Sequence, residues 1–218
     1  MKLTKGTTLT SSILAVLLSA GIPAHAQHAD HATNTAAVSF SVAQAGAAQR
    51  DLWIGHVFWV RNVAVETLAG NKTAAAAAEN EVVANAKRIA ASIEPFYGKG
   101  ASDQLFDLLV GHYGAIKGYL EATVADSQSD QDAAMQSLTD NADEIAVFLS
   151  GANPNLPRDT VRGLFLAHGG HHVQQIQQLH DRQYQQEAQT WEAMKGHMYV
   201  IADALAGALA KQFPAKFA

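Results

Sequence analysis

The residues in this chain whose types and spacing could do chemistry are histidines. His56 ends the run Asp51-Leu52-Trp53-Ile54-Gly55-His56, and His112 ends Asp107-Leu108-Leu109-Val110-Gly111-His112. His168 ends Gly163-Leu164-Phe165-Leu166-Ala167-His168, so each histidine follows the last by 56 residues. A second series keeps the same step. Asn85 opens Asn85-Ala86-Lys87-Arg88-Ile89-Ala90, Asn141 opens Asn141-Ala142-Asp143-Glu144-Ile145-Ala146, and His197 opens His197-Met198-Tyr199-Val200-Ile201-Ala202. His171 and His172 extend the third histidine segment.

Neutral imidazole is the commonest protein ligand for Zn, Cu, Ni and Fe. Three or four histidines converging from different helices make a credible ligand set for a transition metal, and three with a water leave an open position. The candidate metal ligands are His56, His112, His168 and His197. His172 joins them, because a four-residue step from His168 lets both chelate one ion. Asn85 and Asn141 are candidate cofactor-binding groups, through side-chain oxygens that orient a ligand or bind it. A second reading needs no metal. Each histidine could bond the Asn across its hairpin and fix register, as one buried polar residue does in a coiled coil. An unmet buried polar group costs on the order of 1–3 kcal/mol, so either reading must satisfy these groups.

Other chemistries lack their residues. There is no cysteine, hence no disulfide, thiolate ligand or Cys nucleophile. No Glu-x-x-His pair of the ferritin type occurs, and no His-Glu-x-x-His, Gly-x-Ser-x-Gly or phosphate loop. Glu66, Asp143, Glu144 and Asp203 read as surface charges, and no carboxylate is clearly placed as a general base, so the reading leans away from an enzyme. His180 reads as a solvated surface residue, and Trp53 and Trp59 as core.

The elements that must position these groups are helices. Apolar residues recur at steps of three and four, and no segment alternates like a strand. The pattern predicts six helices near 51–69, 73–96, 102–126, 130–150, 158–181 and 184–212. Gly70-Asn71 and Tyr97-Gly98-Lys99-Gly100 break the pattern, Ser102 can cap the third helix, and Pro157 suits the start of the fifth. Short connections favour antiparallel neighbours. The two 56-residue series then predict an all-α bundle of six antiparallel helices built from three repeated hairpins, at about 51–98, 102–154 and 158–212. His56 lies 15 residues before the turn at Asn71 and Asn85 lies 14 after it, which puts both roughly 21–23 Å from the turn, at one level. Six polar groups would form a belt across the bundle, provided the ring of helices is narrow enough for them to meet.

The 218 residues are 48% hydrophobic, enough for one domain with a core. Lys2 and Lys5, the apolar run 13–18 and Ala24-His25-Ala26 read as a secretory signal over 1–26, too short in its apolar part to span a bilayer. Residues 27–50, rich in Ala, Gln, Ser and Thr and carrying His28 and His31, read as a flexible leader ahead of a helical domain over 51–218. Loss of Lys2 and Lys5 would take the formal charge from -5 to -7, and a dispersed acidic charge argues against a nucleic-acid partner. No later segment is apolar enough to cross a membrane. The expected location is periplasmic or secreted, and the expected partner a metal ion or a small ligand held through it.

The stretch Asn141-Ala142-Asp143-Glu144-Ile145-Ala146-Val147-Phe148-Leu149-Ser150 with Ala152-Asn153-Pro154, and the ending Lys211-Gln212-Phe213-Pro214-Ala215-Lys216-Phe217, resemble an exported bacterial all-helical family of no established activity. The resemblance covers about 51–217. It implies a helical fold and an envelope location, and it assigns no catalytic residue.

Overall fold

The computed structural model describes residues 41–217. Residues 1–40 and 218 lie outside the described residues, and with them the expected signal segment, most of the leader, His28 and His31. The described chain is all-α. Helices α1 (Val42–Leu68), α2 (Lys72–Ala91), α3 (Glu94–Tyr97), α4 (Lys99–Val124), α5 (Gln128–Ala152), α6 (Arg158–His180) and α7 (Tyr184–Gln212) precede a 3₁₀ turn at Pro214–Lys216. Six are long, as the apolar period predicts, and α3 is one added turn.

Three boundaries differ from expectation, each for a local reason. Residues 42–50, read as leader, are the first turns of α1. Ser41 and Gln44 form a reciprocal capping box there, and alanine-rich sequence holds a helix without an apolar stripe. Gln49 is buried and donates to Ser92 Oγ at 3.0 Å, which ties this extension to the end of α2. The second predicted helix splits after Ala91, where Pro95 at the start of α3 supplies no backbone donor. Ser102 is not a cap: α4 already begins at Lys99, and Ser102 is buried inside it.

The long helices close into a ring. In order round it, α1 packs on α2, α2 on α4, α4 on α5, α5 on α6, α6 on α7 and α7 on α1. The first arms of the three hairpins, α1, α4 and α6, also touch one another across the interior, whereas the second arms α2, α5 and α7 do not pack on one another to a comparable extent. Each second arm instead fills the gap between its own first arm and that of the next hairpin. The interior of this ring is therefore where α1, α4 and α6 meet.

Two apolar clusters fill that centre. One contains Trp53, Val57, Leu105, Leu109, Phe165, Ile145 and Met198; the other contains Val60, Val63, Ile116, Leu120, Leu138 and Ile176. On α1, α4 and α6 alike the histidines fall where the first cluster gives way to the second. Burying a Leu or Ile side chain stabilises by about 1.5–3 kcal/mol, so packing on both sides holds the polar layer in place.

Candidate metal centre

Four histidines meet at the axis: His56 from α1, His112 from α4, and His168 and His172 from α6. None is more than 2% exposed. His168 sits among the other three. Its ring centre lies 5.6 Å from that of His56, 5.2 Å from His112 and 4.5 Å from His172. His56 lies 5.9 Å from His172 and 6.4 Å from His112. Two imidazoles sharing one ion hold their ring centres roughly 5–6 Å apart, given a metal–nitrogen distance of about 2.0 Å.

The His172 position follows from helix geometry, since residues four apart share a face. One ring nitrogen each from His56, His168 and His172 lie within 4.8 Å of one another, and these three are the metal-competent convergence found among the described residues. An ion at about 2.0 Å from each would draw tetrahedral ligand atoms to roughly 3.3 Å, a closure that rotation of the rings supplies. Among the described residues no carboxylate joins the group.

His112 is oriented by its neighbour. Asn141 donates from Nδ2 to the Leu108 carbonyl at 3.0 Å, so its Oδ1 faces His112 Nδ1 at 3.1 Å. An amide oxygen only accepts, so Nδ1 carries the proton and Nε2 presents a lone pair to the cluster. A hydrogen bond on one ring nitrogen that leaves the other free to ligate is the usual arrangement at metal sites.

Six further ring nitrogens have no partner among the described residues. Both nitrogens of His56, both of His168, Nε2 of His112 and Nε2 of His172 are buried without a hydrogen bond. A register network of His–Asn pairs accounts for His112 alone. Burial pushes the His56 imidazolium down to about 3, helped by the His112 charge, and His112 down to about 4 against an opposing pull from Asn141. Burial, then the charges of the neighbouring histidines, holds His168 and His172 well below the usual range. All four rings are thus neutral, the form that binds a metal.

The expected belt of six splits in two because its members lie on arms of different depth. Asn85, Asn141 and His197 are on the outer arms. Each donates across its hairpin to a backbone carbonyl four residues before the facing histidine: Asn85 Nδ2 to Leu52 at 3.0 Å, Asn141 Nδ2 to Leu108 at 3.0 Å, and His197 Nε2 to Leu164 at 2.8 Å. Asn85 makes no hydrogen bond to His56, and its Oδ1 is a buried orphan. His197 is only part-buried and faces His171, with ring centres 5.5 Å apart. The four inner histidines are brought together; Asn85 and His197 stand outside them.

Composition signalled the tight backbone here only weakly. A Cβ on Gly55 would lie 3.0 Å from Asn85 Nδ2, and one on Gly111 would lie 3.2 Å from Asn141 Nδ2. The third hairpin carries Ala167 at that place and His197 in place of Asn.

One polar group near the site escaped the sequence reading. Glu187 on α7 is 3% exposed at its side chain and takes both guanidinium donors of Arg61 at 2.6 and 2.7 Å. It also accepts from Gln175 Nε2 at 3.0 Å, and Gln175 lies three residues past His172 on α6. Isolated charges on long helices carry no pairing signal in sequence. Comparison of the chain with family models, with curated proteins and with solved structures finds no match.

Proposed function

We propose that this is an exported protein that binds one transition-metal ion, Zn, Cu, Ni or Fe, inside its helical bundle. His56, His168 and His172 hold the ion, and His112 completes the set through Nε2. Asn141 orients His112 and does not ligate. Exportation rests on the reading of residues 1–26, and no described helix is long and apolar enough to cross a membrane. The same proposal takes the three hairpins as copies of one ancestor, supported by the three cross-hairpin bonds, each spanning 33 residues.

The observation that carries the reading is the set of six partnerless nitrogens on four neutral rings at one point. Each such group left unmet costs about 1–3 kcal/mol, and one ion meets several at once. The outer-arm bonds to Leu52, Leu108 and Leu164 already fix hairpin register, so the inner histidines are not required for it.

The test is elemental analysis of the untagged protein from its native compartment, paired with melting in chelator. Close to one equivalent of ion, lost in His168→Ala, with chelator lowering the melting temperature of the wild type and not of the variant, is the expected result. A metal-free protein whose melting responds to no added ion would sink the proposal and leave the histidines a packing layer.

A further inference from the structure

A site whose ligands are at most 2% exposed needs a way in. Resting on the reading above, we propose that His171 and His197 form a second, outer metal site on the α6–α7 seam, and that ions reach the inner histidines through it. Their ring centres lie 5.5 Å apart, the spacing of two imidazoles on one ion. The hydrogen bond from His197 Nε2 to the Leu164 carbonyl locks that ring and leaves Nδ1 as a lone pair. His171 makes no hydrogen bond among the described residues, so its ring is free to turn toward an ion.

Both side chains are part-buried, unlike the inner four, and so are open to a hydrated ion. Gly170 and Gly196, each next to one of the pair, are exposed and have open space where a Cβ would stand, so the seam is not walled by side chains there. The pair also adjoins the inner group. His171 precedes His172 on α6, with one ring turned to α7 and the next to the core. An ion could exchange two waters for the outer imidazoles, then trade these one at a time for His168 and His172, with no change of oxidation state.

The first two hairpins have no such pair. They carry Asn85 and Asn141 where the third has His197, and Trp59 and Ala115 at the positions matching His171. A change of both residues in a single hairpin, facing each other across it, is what a port on one side of the molecule requires.

The probe is Cu(II), which binds nitrogen sites most strongly among the divalent first-row ions. Calorimetric titration counts the ions. Tryptophan quenching in stopped flow times inner loading, since the Trp53 ring lies 6.0 Å from that of His56. The variants are His171→Ala, on a part-exposed position, and His197→Gln, which keeps an amide donor for the Leu164 carbonyl. The wild type should take two ions, the outer one weaker. Each variant should keep the inner ion, bind the outer one about 10–100-fold more weakly, and load the inner site more slowly. One ion in the wild type, with both variants loading at its rate, would overturn the outer site while leaving the inner one standing. Loss of the outer ion with unchanged loading would overturn the route. No bound ion at all would overturn both this inference and the proposed function.

Discussion

At Gly111 and Gly114, three residues apart on α4, replacement by alanine should act in opposite directions. Gly114 has open space around its missing Cβ, so Gly114→Ala should stabilise by about 0.5–1 kcal/mol through helix propensity. At Gly111 a Cβ would press on Asn141 Nδ2 at 3.2 Å, and moving that amide gives up its bond to Leu108 and slackens its hold on His112. A lost buried bond of about 1–3 kcal/mol exceeds the propensity gain, so Gly111→Ala should destabilise by about 1 kcal/mol. Urea midpoints of the two variants decide the matter, and equal shifts would refute the contact. Acid acts at the same scale. His56 and His112 titrate near about 3 and 4 in the folded chain and at the ordinary value of 6.5 once unfolded. Between those values the unfolded chain binds protons that the folded chain refuses, so stability falls as pH falls below 6.5. Each of the two contributes up to about 1.4 kcal/mol per pH unit, and His168 and His172 act in the same direction. Urea unfolding of metal-free protein should be insensitive to these groups from pH 7 to 8 and weaken steeply toward pH 5. A flat profile down to pH 5 would mean that the rings are not held neutral.

Two arginines on α1 separate what an ion pair does for helix packing from what it does at the surface. Arg61 ties α1 to α7 through Glu187, and Gln175 extends the tie to α6; Arg61 also lies over the Trp191 ring, 5.6 Å from its centre. Removing the guanidinium strands a buried carboxylate. Breaking a buried pair costs about 3–5 kcal/mol, and the partly solvated guanidinium brings the expected loss for Arg61→Ala to about 2 kcal/mol. Arg50 makes an equally short pair with Asp203, but both partners are about half exposed, 49% and 48%. Arg50→Ala should leave the urea midpoint unchanged within error, because solvent replaces that pair. If the two variants lost equal stability, burial of Glu187 would not be what matters. Helix existence was legible for all six long elements, since apolar steps of three and four need only local sequence. The start of α1 was not, because alanine-rich turns carry propensity without a stripe, and what holds them is Gln49 reaching Ser92 at the far end of α2.

The six long helices of the described residues form one ring in which α1, α4 and α6 also touch across the interior, with the polar layer between two apolar clusters. Ion binding at that layer should therefore stabilise the entire fold. At one hundred times its dissociation constant a ligand adds about 2.7 kcal/mol, and the melting temperature should rise with ion concentration accordingly. A rise that persists in the His168→Ala variant would place the ion elsewhere.

The sequence by itself determined the helices, their pairing into hairpins and the level of each histidine along its arm, because these depend on period, punctuation and residue counts. It also singled out every member of the inner group, since the 56-residue spacing and the His168–His172 step are written in the chain. Depth was decided only by tertiary structure. His56, His112, His168 and His197 look alike as polar residues on apolar faces, yet the first three lie on arms that meet at the axis and the fourth on an arm held between two others. A helix face that is apolar can pack inward on the centre or sideways on a neighbour, and hydrophobic period does not distinguish the two. The closing of the ring does, and it separates the groups that can share an ion from those that bind the backbone beside it.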